Sequence, residues 1–199
     1  MSKELEIARE LVRMLEEKEQ TGMVELGTLD VGAVFKIAEH DFIVLEQIEG
    51  RTAVISKTFM AEDIKFDSDC IDYNKSNLKE LIETEIQPII EDAVGAENLV
   101  EHEVDLTSVD MQNEYGLCRC KVRPITFEES RKYNNLLVNK DLDDWWWTCT
   151  PWSTEERGWK YSIAVVSSSG NVYDVSCSSD CGVRPFCILK SNIFVSKGV

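Results

Sequence analysis

The chain has 199 residues, enough for one domain with a small appendage, and 43% of them are hydrophobic, ample for a packed core. With 37 acidic against 21 basic residues and a net charge of −16, it lacks the basic face that a nucleic-acid backbone or an anionic membrane surface demands. No run approaches the roughly 18 apolar residues of a membrane-spanning helix, so neither nucleic acid nor membrane insertion is expected.

The charged start, Met1-Ser2-Lys3-Glu4-Leu5-Glu6, has no apolar signal-peptide core, and a reducing cytosol is the expected compartment. In that reducing setting the seven cysteines (70, 118, 120, 149, 177, 181 and 187) read as small buried residues rather than a disulfide framework. Residues 3–19 read as a helix, with Ser2 as its cap and Leu5, Ala8, Val12 and Leu15 at three- and four-residue spacing. Such a helix either docks on its own domain or serves as a homo-oligomerisation handle, and residues 1–20 are set apart on that ground from a domain over 21–199.

Three short runs follow: 34–37, 42–46 and 52–56. They are rich in β-branched and aromatic residues and separated by turn residues, which predicts an antiparallel meander. Residues 60–75 read as an irregular, solvated loop; Asp63, Asp67, Asp69 and Asp72 lack the spacing of a calcium loop. From Ser76 to about Val94 the pattern is helical, with Pro88 marking a kink or break and Gly95 the end. Residues 100–106 and 118–122 read as short strands. Thr126 and Glu129 form a capping-box pattern for a helix through about Leu137. Beyond Asp141 the chain alternates loops with strands at 161–166, 172–177 and 183–189. The order of elements predicts an α+β fold.

Little here points to catalysis. Cys118-x-Cys120 and the Cys177, Cys181, Cys187 spacing do not match zinc sites, and His40 and His102 are the only histidines. No nucleophile elbow or glycine-rich phosphate loop is present. Neither metal nor cofactor is expected, and no catalytic residue is assigned.

All five tryptophans lie between 145 and 159. Trp145, Trp146 and Trp147 are adjacent, so in extended backbone they cannot share one face; at least one should enter the core and one point outward. The loops that follow offer Trp152, Arg157, Trp159, Tyr161, Asn171, Tyr173, Asp174, Ser176, Ser178, Ser179 and Asp180. Aromatic and small polar residues together are the palette of adaptable binding surfaces, although any one tryptophan could equally fill the core. Segment 143–187 is therefore the candidate binding segment.

Trp145-Trp146-Trp147, the Ser168-Ser169-Gly170-Asn171-Val172 turn and Gly182-Val183-Arg184-Pro185-Phe186-Cys187-Ile188 resemble a family of uncharacterised domains from gut Firmicutes and their phages. There a "WWLRSP" element precedes a "V…SDG" hairpin and a terminal "GVRP" strand. The resemblance extends over roughly residues 24–196. It implies a relation to the C-type-lectin-like fold, in the branch of formylglycine-generating enzymes and of phage receptor-binding proteins diversified by retroelements. On that footing Arg184 braces the scaffold, Pro185 fixes the strand's entry, and Trp145 or Trp146 packs beneath. The calcium-and-sugar motifs of true C-type lectins are absent, and the cysteine pair of formylglycine-generating enzymes is not matched. The implied role is a non-enzymatic binder of phage or prophage origin whose ligand is a protein or glycan of the host bacterium. The alternatives are a structural or assembly component of a phage particle, a cysteine-dependent modifying enzyme, and an inhibitor of a host defence system.

Overall fold

A computed structural model describes residues 5–7, 9, 12, 13 and 22–198. Of the helix expected over 3–19, the described residues are helical, with Leu5, Ile7 and Val12 exposed; the remainder, including the Ser2 cap, lies outside them.

The expected α+β class holds, and antiparallel sheet makes up most of the regular secondary structure. Strands β1 (Met23–Glu25), β2 (Val34–Ile37), β3 (His40–Ile48), β4 (Arg51–Ser56) and β5 (Ala61–Lys65) come first. After a helical stretch, β6 (His102–Asp105), β7 (Leu117–Cys120) and β8 (Val122–Arg123) follow. The last third supplies β9 (Trp146–Pro151), β10 (Ser162–Val166), β11 (Val172–Ser176), β12 (Asp180–Val183), β13 (Phe186–Lys190) and β14 (Phe194–Lys197). A seven-stranded sheet runs β1-β14-β2-β3-β4-β13-β8, a five-stranded sheet runs β11-β10-β9-β12-β5, and β6 with β7 forms a two-stranded sheet among the described residues. The β2-β3-β4 meander forms as expected, and the chain's end returns to pair β14 with β1.

Two departures have clear causes. The stretch expected to be loop holds β5, and its aspartates divide: Asp63 and Asp69 are exposed as expected, whereas Asp67 and Asp72 are buried. Asp67 accepts from the backbone of Asp69, Cys70 and Asn77, while Asp72 caps the turn at Asn74, so these carboxylates satisfy backbone donors of a tight bend. The helix over 77–94 is one run, α1 (Asn77–Leu81), a π turn (Ile82–Ile86) and α2 (Gln87–Val94). Pro88 sits in the first turn of α2, where its missing N–H costs little, and the π turn absorbs the register change.

A larger core joins Phe35, Phe42, Val44 and Val54 of the seven-stranded sheet to Trp147, Ile163 and Val165 of the five-stranded one. Leu78, Ile82 and Ile90 of the α1–α2 run cover it. A second core lies on the opposite faces, joining Ile43, Ile55 and Phe186 to Trp146 and Val166 beneath α3 (Phe127–Lys132) and α4 (Asn134–Leu137). Both sheets therefore have apolar contacts on two sides. The strands 42–45 and 146–151 are buried at every position rather than alternating.

Candidate functional site

This two-sided packing decides where the tryptophans go. Adjacent residues of β9 face opposite ways, but each side meets a core, so Trp146 and Trp147 are both fully buried. Trp147 donates its indole N–H to the Ile64 carbonyl at 2.7 Å and meets Phe66 edge-on at 5.6 Å. Trp146 lies under the guanidinium of Arg184, 4.7 Å from its ring centroid. Arg184 is fully buried and donates Nε to the Ser56 carbonyl and Nη1 to that of Leu137, both at 2.9 Å. The Pro185 carbonyl accepts from Ser56 N–H at 3.0 Å, locking the same corner. Burial without a carboxylate partner lowers the Arg184 pKa to about 10. Trp145 is half-buried and leans on Tyr173, centroids 6.2 Å apart. No member of the triplet is freely exposed.

The eleven residues expected at the ligand do not form one surface. Trp159 (47% exposed), Tyr161 (46%) and Tyr173 (62%) are the aromatic residues that reach solvent. Cross-strand register places Tyr173 opposite Val165 and Val175 opposite Ile163, and Cys177 N–H bonds the Tyr161 carbonyl. Tyr161 and Tyr173 therefore share one face of the β10–β11 hairpin, about 13 Å apart along the strand. Trp152 is half-buried, its N–H bonded to Ser162, and Trp159 closes the turn after Thr154. Ser178 and the half-buried Ser179 belong to the turn after β11, on the same end as Trp159 and Tyr161, and Asp180 opens β12 opposite Lys65. Asp174 and Ser176 lie on the hairpin's other face. Asn171 caps its far end, about 17 Å from Ser176 along the strand. Arg157 turns instead to Asp110, Nη1 to Oδ2 at 3.3 Å.

Asp110 leads to a feature that sequence reading missed. It accepts from Ser108 at 2.6 Å and Ser153 at 2.8 Å, and these bonds, the Ser108 one foremost, hold its pKa below the usual carboxylate value. It thereby ties segment 151–157 to the 107–112 loop. That loop, β6 and the first turn of α3 enclose a cleft of about 570 Å³. At its base Arg123, 3% exposed, grips Glu129 with two 2.6 Å bonds and donates Nε to His102 Nε2 at 3.1 Å. The Arg123 guanidinium also stacks 4.3 Å from the Phe186 centroid. Burial alone would raise the Glu129 pKa, but the bonds from Arg123 and Thr126 more than offset it, and the net shift is downward. Burial, then the Arg123 charge, push the His102 pKa down, which keeps it neutral and accepting. Glu103, Asp105 and Glu128, with Met111 and Phe127, complete the walls. The sequence signal was present: Arg123 stands just before the Thr126–Glu129 capping box, which forms as expected with Glu129 also serving the arginine.

All seven cysteines are free thiols, Cys70 half-buried and the others buried. Burial raises the thiol pKa of Cys177 and drives those of Cys181 and Cys187 up to about 12, the opposite of what thiolate chemistry requires. No group of metal-ligating side chains occurs among the described residues, and no described helix is long and apolar enough to cross a membrane.

Residues 101–191 match the model of a family described as a domain of unknown function, DUF6273. No curated protein and no solved structure matches the chain. The matched stretch takes in the cleft strand β6, the Arg123–Glu129 pair, the tryptophan strand β9 and the Gly182–Phe186 corner.

Proposed function

We propose that this is a non-enzymatic binding protein, with Trp159, Tyr161 and Tyr173 gripping a protein or glycan ligand. The observation that carries the reading is the division of labour among aromatic residues within one short segment. Trp146 and Trp147 are fully buried and hold the sheet, while Trp159, Tyr161 and Tyr173 keep about half or more of their surface in water. Aromatic side chains pay to stay exposed, and a binding partner would recover that cost. The raised thiol pKa values of Cys177, Cys181 and Cys187 favour binding over cysteine chemistry. A C-type-lectin-like scaffold and a phage or prophage origin belong to the same proposal, on the motif resemblance and on the loop-rich segment carried between β9 and β13.

The test is capture from host-cell envelope and lysate fractions, with the wild type beside a Trp159→Ala, Tyr161→Ala, Tyr173→Ala triple variant. One component retained by the wild type and lost by a folded triple variant is the expected result. Equal capture by both would overturn the reading.

A further inference from the structure

Among the described residues, strand β6 has β7 on one side and no strand on the other. Three consecutive residues, Glu103, Val104 and Asp105, line the 570 Å³ cleft, as happens when a strand's edge rather than a face borders a cavity. The hydrogen-bond pattern agrees. Leu106 N–H bonds the Gly116 carbonyl at 2.9 Å, which makes 106 and 116 a bonded pair. Alternation along the antiparallel ladder then turns the peptide groups of Glu103 and Asp105 away from β7, into the cleft.

The charge at this edge is unbalanced. Arg123 is already neutralised by Glu129, and Glu128 pairs with Arg131. Arg119, opposite Glu103, bonds Glu101 at 2.7 Å. Glu103 and Asp105 make no ion pair among the described residues, and Asp105 accepts only from Thr107. A second copy of this acidic chain would meet repulsion here.

We infer that the cleft takes an extended, basic polypeptide segment as an antiparallel strand on the free edge of β6, with basic, apolar and basic residues in alternation. The pattern follows from strand geometry. Residues opposite Glu103 and Asp105 share the side of their carboxylates and meet them as lysine or arginine. The residue between turns the other way with Val104, and Phe127 and Met111 supply its apolar contact. Main-chain bonds supply affinity and the alternate side chains specificity. This inference does not rest on the aromatic surface, and either can fail alone.

The probe is acetyl-Lys-Val-Lys-Val-Lys-amide, titrated by calorimetry and by amide NMR against the whole chain. Saturable binding with the largest shifts at Glu103 and Asp105 is expected, and none for the same peptide with glutamate in place of lysine. N-methylation of the lysine amides, which would face β6, should weaken binding about tenfold or more, while N-methylation of the valine amides, which face away, should not. A chain carrying Glu103→Gln and Asp105→Asn should also bind about tenfold more weakly at an unchanged melting temperature. Equal binding of the two methylated peptides, or shifts spread over other acidic faces, would overturn the inference in favour of diffuse charge attraction. Absence of saturable binding would overturn it outright.

Discussion

The buried Arg123–Glu129 pair makes the cleft region's stability sensitive to a one-atom change. Glu129→Gln keeps side-chain shape and an oxygen acceptor for Thr126 N–H, now 2.8 Å from Oε2, so the capping box survives. What it removes is the charge opposite a guanidinium that is 3% exposed and held by two 2.6 Å bonds. Breaking one side of a buried pair costs about 3–5 kcal/mol. The Glu129 side chain is 22% exposed, so the lower end, about 3 kcal/mol, is the value expected. With a urea slope of about 2 kcal/mol/M, the unfolding midpoint should fall by about 1.5 M. Adding Arg123→Met should recover at least half of the loss, because the stranded charge is then gone. Acid supplies a second check. Since Glu129 titrates below its ordinary value of 4.5 in the folded chain, its stabilisation is present above that value and lost as pH falls through the depressed pKa. The variant should lack that acid-dependent component. A midpoint unmoved by Glu129→Gln, or a double variant weaker than the single one, would refute the account of Arg123 as a charge that needs its partner.

Two further outcomes follow from the same packing. A Cβ on Gly182, which pairs with Trp146, would lie 2.5 Å from the Phe59 ring, so Gly182→Ala must displace that ring and should cost about 1–3 kcal/mol in urea unfolding; Phe59→Leu in the same chain should relieve part of it. His102 titrates below its ordinary 6.5 because of burial and Arg123, so the unfolded chain binds the extra proton first. Stability should therefore decline as pH drops below about 6.5, by at most about 1.4 kcal/mol per unit, and His102→Gln should flatten that slope above the carboxylate range; a His102 chain with no slope there would contradict the neutral, accepting imidazole.

How far the sequence could be read depended on whether a signal was local. The β2–β3–β4 meander was legible because alternation and turn residues sit next to one another, and the Thr126 capping box because its two partners are three residues apart. Strands β1 and β14 were not, since Met23–Glu25 and Phe194–Lys197 are short and gain their identity only by pairing across the whole chain. Asp67 and Asp72 misled for a related reason: a carboxylate that serves its own bend has the same composition as one in water. Trp145–Trp147 were legible as a constellation but not as a placement. Strand periodicity sends neighbours to opposite faces, and it cannot say that both faces will be covered.

That last point bears on where binding is sought. In a sheet with one wet face, a triplet of tryptophans would advertise a ligand; here α3 and α4 cover one side, and the α1–α2 run packs into the core on the other. The aromatic residues left to water are those that outlie this cover: Trp159 and Tyr161 where β10 begins, and Tyr173 on the edge strand β11. Edge position matters as much as exposure, because among the described residues β11 and β6 each offer an unpaired side, one with an aromatic face and one with carboxylates. Asp110 holds the 107–112 loop that borders the cleft to Arg157 and Ser153 of the segment leading to Trp159. Displacing that loop from the cleft side would load the same two contacts, which makes Asp110→Asn the substitution that asks whether the two edges act separately. If they do, the change leaves capture through Trp159, Tyr161 and Tyr173 intact whether or not a basic strand occupies β6. If occupancy of β6 alters that capture in the wild type and not in Asp110→Asn, the loop is the link between them.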